Sequence, residues 1–189
     1  MTNGLDPKYL LFGVFPLVGA SGGQAVGIGW GLLAAAVFVI PPSLVVYAGV
    51  RGGRWSDRHL SVRTQRLPVA VGLSVYVTAV VVLLYAVDAP RPVTATAFTM
   101  AALCALTTVL TAVWKVSVHC TVACAFVAVL SCAYDAEAPW PFMAAPLVAL
   151  IGWSRVRLRA HTVAQVLVGC LLGTAGTAFL WHLANAAAA

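Results

Sequence analysis

The sequence predicts an all-α integral membrane helix bundle of about six transmembrane helices, with a short N-terminal helix that lies at the interface or re-enters. Three observations predict it. First, 62% of the 189 residues are hydrophobic and 8% charged, and the mean hydropathy is +0.97, well outside the balance of a soluble globular domain. Second, a bilayer core about 30 Å thick takes about 20 apolar residues per helix, and runs of that order stand at 28–50, 68–87, 92–113, 118–134, 139–153 and 162–184. Third, the charges that remain are gathered into a few short segments between those runs.

The chain starts MTNGLDPK, acidic and polar, without a basic n-region or a small-residue cleavage site, so it does not read as a removable signal peptide. Residues 8–20, KYLLFGVFPLVGA, are interrupted by Pro16 and closed by SGGQ, and they fall short of the length of a span. Residues 1–27 therefore read as an N-terminal interfacial or re-entrant segment, 28–184 as the transmembrane domain and 185–189, NAAAA within the C-terminal end, as a tail. The first full span contains Pro41-Pro42, which predicts a bent or broken helix whose freed backbone groups are satisfied by neighbours. The runs at 118–134 and 139–153 are short. In the last span, Gly169, Gly173 and Gly176 recur at near-helical spacing, as small residues do where membrane helices pack closely.

Cys104, Cys120, Cys124, Cys132 and Cys170 all lie inside apolar stretches, where cysteine behaves as a small hydrophobe. No disulfide framework is read from them. Cys120 and Cys124 stand one turn apart beside His119, but no second pair follows at metal-ligand spacing, so packing is the reading.

Nine of the eleven Lys and Arg residues fall in three connections: Arg51, Arg54, Arg58, Arg63 and Arg66 in the first, Lys115 in the second, and Arg155, Arg157 and Arg159 in the third. Two spans separate each from the next, so all three emerge on one face. The other face receives Asp88, Arg91, Asp135 and Glu137, with His182 as an interfacial anchor. Loops rich in Lys and Arg stay cytoplasmic, which predicts a multi-pass protein of a bacterial-type plasma membrane with its basic face inside.

Topology and anionic headgroups account for some of these charges. Arginines beside histidines also suit phosphate, whereas nothing resembles a basic soluble domain that would grip nucleic acid. Spacing favours phosphate. Residues 154–165 read Ser154-Arg155, five residues, His161, three residues, Gln165; residues 116–119 read Val116-Ser117-Val118-His119; residues 56–68 read SDRHLSVRTQRLP. In order, the last, middle and first of these resemble the motifs K-x6-R-P, P-S-G-H and S-R-x5-H-x3-D of the type-2 phosphatidic acid phosphatase family, and the resemblance covers residues 51–184.

That resemblance implies a membrane lipid phosphatase working without a metal or other cofactor through a phosphohistidine. It makes His161 the nucleophile, His119 the acid that protonates the leaving oxygen, Arg66 and Arg155 phosphate ligands, and Ser117 a hydroxyl near phosphate oxygen. Ser154 belongs to the third motif, and Lys115 adds a cation or marks a helix start. The residue types suit the chemistry on their own terms. An imidazole with an ordinary pKa of about 6.5 is largely unprotonated at neutral pH and able to attack. A second imidazole protonates an alkoxide, and fixed arginines stabilise equatorial oxygens. Asp57 is the one carboxylate on this face, too few for a Mg²⁺ site.

Three departures matter. Gln165 stands where the family has aspartate: it accepts a hydrogen bond but supplies no negative charge, so activity is lower or is compensated. Val116 and Val118 replace proline and glycine, removing the easy approach of backbone to phosphate. Arg58, His59 or Arg63 stands in for the missing lysine, and His59 also reads as a solvated loop residue. The partners expected are a lipid phosphate and membrane lipids, with isoprenoid phosphates or prenyl-linked sugar phosphates favoured if the face is cytoplasmic. Two other readings stay open: a non-hydrolytic member that binds or moves an anionic lipid, and a phosphoryl or prenyl transferase using the same site.

Overall fold

The computed structural model of the chain describes residues 6–57, 62–134 and 140–186, and of Arg63, Trp140 and Pro141 the backbone alone. Arg58 and His59, offered for the first motif, and Asp135 and Glu137 lie outside the described residues. Every regular element among the described residues is helical: α1 Pro7–Ala20, α2 Ala25–Arg51, α3 Arg63–Ala86, α4 Arg91–Val113, α5 Val118–Ala133, α6 Trp140–Arg157, α7 Val163–Leu171 and α8 Thr177–Ala186. A π-helical turn, Leu172–Gly176, joins α7 to α8, so that Val163–Ala186 runs as one 24-residue helix. By length and composition, α2, α3 from Thr64, α4 and this last helix are able to cross a membrane. The protein is a helical membrane bundle, and its helices begin and end within a few residues of the predicted runs.

The centre of the bundle is α4, whose buried face carries Val93, Ala95, Ala97 and Leu103 with Thr94, Thr96, Thr99, Thr107 and Thr108. Several of these hydroxyls donate to carbonyls one turn back, as Thr96 does to Pro92 at 2.7 Å and Thr107 to Leu103 at 2.8 Å. Such bonds satisfy a buried polar group inside its own helix. Across the gap to α3, Ser74 and Thr108 hydroxyls meet at 3.0 Å.

α1 is a wall of the bundle, with Val14, Phe15 and Val18 fully buried. Glycine makes that approach feasible: a Cβ on Gly19 would lie 2.1 Å from the carbonyl oxygen of Gly27 on α2, and one on Gly31 would lie 2.4 Å from that of Phe15. The same device joins the last helix to α5 and α4. A Cβ on Gly169 would meet the Ser117 oxygen at 2.7 Å, one on Gly173 the Thr121 oxygen at 2.3 Å, and one on Gly176 the side chain of Leu103 at 3.2 Å. The three glycines are helix-packing residues, as their spacing predicts.

Of the bend or break expected at Pro41-Pro42 the break does not occur, since α2 continues through both prolines to Arg51. Pro41 has no N–H for the carbonyl of Val37, four residues earlier, and that oxygen accepts instead from the Tyr76 hydroxyl on α3 at 2.8 Å. A neighbouring helix thus satisfies what proline frees. Tyr76→Phe should lower stability by about 1 kcal/mol, in the range of interhelical hydrogen bonds in membranes. The unfolding midpoint in detergent measures it, and an unchanged midpoint would mean that Val37 does not depend on this bond.

Contacts fix the two ends of the bundle. At one end Arg91, at the start of α4, donates to the backbone oxygen of Asn185 near the end of α8, and Tyr134 after α5 donates to that of Leu17. At the other end lie the starts of α3, α5 and α7 and the ends of α2, α4 and α6, which carry the basic segments.

Candidate active site

The spacing Ser154-Arg155-x5-His161-x3-Gln165 is the geometry of one helix ending and another beginning. α6 closes with Ala160 N–H donating to the Arg155 carbonyl at 3.0 Å and Arg159 N–H to that of Val156 at 2.9 Å. These are the two bonds of a Schellman motif, which requires a left-handed residue at its turn. Arg159 fills that place at φ 52°, where glycine is usual and a side chain costs on the order of 1 kcal/mol. The His161 N–H also reaches the Arg155 carbonyl, at 3.2 Å, so the histidine hangs from the backbone of the arginine six residues before it.

Thr162 then caps α7. Its hydroxyl accepts from the Gln165 N–H at 3.3 Å while the Gln165 side-chain oxygen accepts from the Thr162 N–H at 3.2 Å, completing a capping box. The same Gln165 oxygen stands 3.2 Å from His161 Nδ1. A backbone N–H only donates, so the atom of Gln165 facing it is the oxygen, and His161 Nδ1 must carry the proton. His161 Nε2 is left with its lone pair.

The second segment docks on this turn. The Ser117 N–H donates to the Gln165 carbonyl at 3.3 Å, and Lys115 Nζ donates to the Ala160 carbonyl at 2.6 Å. Close packing at Gly169 holds α5 and α7 together just below. His119, on the first turn of α5, meets Arg155, whose Nη1 donates to His119 Nε2 at 3.5 Å. Arg155 Nε also lies 3.5 Å from the Ser154 hydroxyl, which donates to the Ile151 carbonyl. Arg66 comes from the first turn of α3; its Nε is buried and has no hydrogen-bond partner among the described residues, and its charge acts on His161.

His119, His161, Gln165, Arg155, Arg66 and Lys115 are all half-buried at the same end of the bundle, whereas Arg51, Arg54, Arg157 and Arg159 are exposed around it. The basic residues thus divide into a converging set and a rim. Ser117 stands apart. It is fully buried and its hydroxyl donates to Cys120 Sγ at 3.2 Å, so its oxygen faces the helix interior, and it meets Gln165 through its backbone N–H. The side chain of Arg63 is outside the described residues.

Burial pushes the His161 imidazole below its ordinary pKa, and the Lys115 charge pushes the same way. The bond to Gln165 opposes them, while Arg155 and Arg66 add smaller downward effects. The neutral form is therefore favoured. The helix N-termini of α3, α5 and α7 all point to this end, and their dipoles favour an anion there. Among the described residues no three His, Cys, Asp or Glu side chains converge as metal ligands, and the five cysteines are unbridged.

Sequence reasoning does not reach two of these features: the Lys115 bond to Ala160, which joins residues 45 apart, and the left-handed Arg159. The absence of glycine after α6 is the only sign of the second. No curated protein and no solved structure matches the chain, whereas the family model described as PAP2 superfamily matches residues 65–188. That match takes in α3 from its first turn, α4 to α8 and both histidine motifs, and the chain belongs to the PAP2 superfamily.

Proposed function

We propose that the protein is a metal-independent lipid phosphatase that removes phosphate from a lipid phosphate through a phosphohistidine on His161. Membership of the superfamily supports phosphatase-type function broadly. The observation that carries the finer reading is the state of His161: Nδ1–H held by Gln165, and Nε2 free beside three converging cations.

The lipid phosphate would bind against Arg155, Arg66 and Lys115. The unpartnered Nε of Arg66 would gain an acceptor, and Arg155 would turn its fork from His119 to the phosphate oxygens. His119, relieved of Arg155, takes up a proton on Nε2 as the phosphate binds; His161 Nε2 then attacks phosphorus as the bond to the lipid oxygen breaks, and the departing oxygen takes that proton. Water enters and attacks the phosphohistidine with His119 as base, returning both imidazoles to their starting states. As His161 becomes cationic, Gln165 holds the ring without neutralising it, so the step leans on the dianionic phosphate itself for charge compensation. If the basic face is cytoplasmic, isoprenoid phosphates and prenyl-linked sugar phosphates come within reach.

The test is phosphate release by the purified protein, in chelator, from a panel that includes phosphatidate and a polyprenyl phosphate. Release above a no-protein blank that survives chelation supports the proposal. No release from any lipid sets hydrolysis aside in favour of binding or transfer, the readings that the missing aspartate at Gln165 favours.

A further inference from the structure

Among the described residues lies a cavity that the headgroup chemistry leaves unexplained. It measures about 590 Å³ and is bounded by Leu11 on α1, Phe38 on α2, Leu73 and Val77 on α3, Leu103 on α4 and Val122 on α5. Its lining is mainly apolar, with Asp6, Lys8, Ser43, Thr107 and Thr121 among the exceptions. The size falls in the range of small-molecule sites, roughly 300–1,000 Å³. At about 30 Å³ per methylene, close to the share of a water in the liquid, some twenty carbons would fill it.

One helix face runs from the candidate active site into this space, and the first turn of a second helix lies at its edge. On α3, Arg66, Leu73 and Val77 are spaced i, i+7, i+11 and so lie on one face, with the unpartnered arginine Nε at the top and the two apolar side chains in the cavity wall. On α5, Val118 and Val122 line the cavity, and Val118 directly precedes His119. From Val118 to Ala125, also in the wall, the helix descends about 10 Å. The basic end of the cavity is edged by Lys8, whose Nζ pairs with Asp6 at 3.6 Å. Two of the five walls, α1 and α2, come from outside residues 65–188, so the cavity is built in part by chain that the family match does not cover.

We propose that this cavity receives the hydrocarbon chain of the lipid phosphate, and that its volume selects lipids with one chain over lipids with two. The inference rests on the reading of the basic cluster as a lipid phosphate site. The chain enters beneath Arg66 and His119 and lies along α3 and α5. A diacyl lipid would have to leave its second chain outside.

The experiment uses full-length protein in phosphatidylcholine nanodiscs and a single-chain alkyl phosphate of about sixteen carbons carrying a diazirine near its end. Photolysis followed by peptide mapping is expected to place the label on cavity-facing residues of α3, α4 and α5. Unlabelled single-chain phosphate should displace it, with phosphatidate at least tenfold weaker. Val122→Trp and Leu73→Trp, which fill the space from different helices, should each cut labelling about tenfold, whereas Val75→Trp on the exposed side of α3 should not. Only variants that keep the wild-type unfolding profile are compared, and the two fillings are independent. Label spread over outward residues such as Val75 and Val109, equal competition by phosphatidate, or full labelling of both folded filled variants would each overturn the proposal. Cavity labelling without any phosphate release would uphold it while removing the hydrolysis reading; release with labelling only outside would do the reverse.

Discussion

Replacing His161 with Ala is expected to abolish phosphate release in chelator to the level of a no-protein blank, a loss of at least about 10⁴-fold if the wild type has an ordinary turnover. The reason is covalent. Among the described residues no other imidazole hangs from the Arg155 carbonyl with its Nδ1–H held, so on the proposed mechanism none of them replaces the attacking Nε2. Rapid quench of the wild type with a ³²P-labelled lipid phosphate should give acid-labile, base-stable label on the His161 peptide, absent from the variant. The pH profile adds an independent reading. Because burial and Lys115 lower the His161 pKa, kcat/KM should stay level as pH falls through about 6.5, the ordinary value, and decline only below it, where the free enzyme protonates its nucleophile. Removing a cation raises the pKa, so Lys115→Met should move that acidic limb upward. An acidic limb already at or above the ordinary histidine value in the wild type would contradict this account of the site.

How much of this was legible in the sequence depends on the range of each contact. Helix positions were, because a bilayer imposes apolar length residue by residue. The convergence of His119, Arg155 and His161 was also legible, since the parity of spans alone brings their segments to one end. The local meaning of x5 and x3, a Schellman turn and a capping box, is carried by residues within eleven positions of one another. The direction of the Ser117 hydroxyl, which donates to Cys120, was not legible, because motif resemblance says nothing of rotation. Continuity through Pro41-Pro42 depends on Tyr76, 39 residues beyond Val37, and no local pattern reveals such a partner. The close passage of α1 against α2 is likewise written only as scattered glycines, whose facing is a tertiary fact.

The second large effect is expected at His119, and its size should depend on the leaving group. His119→Ala removes the group placed to protonate the departing oxygen, a contribution of roughly 10²- to 10⁴-fold in general acid catalysis. An alkyl or prenyl alkoxide is a poor leaving group and should suffer that whole loss. A p-nitrophenolate leaves without protonation, so the single-turnover burst of p-nitrophenol from p-nitrophenyl phosphate, which precedes hydrolysis of the phosphohistidine, should slow about tenfold or less. Phosphohistidine should then accumulate in the variant, because the same imidazole is needed to activate water for the second step. Arg155 supplies the internal comparison: its guanidinium contacts His119 in the empty site but would hold phosphate in the transition state, and Arg155→Ala should cost about 10²- to 10³-fold on both substrates, as loss of an oxyanion donor does. Equal losses on alkyl and aryl substrates for His119→Ala would make His119 a phosphate ligand or a support for Arg155. A loss confined to the alkyl substrate would assign it the proton.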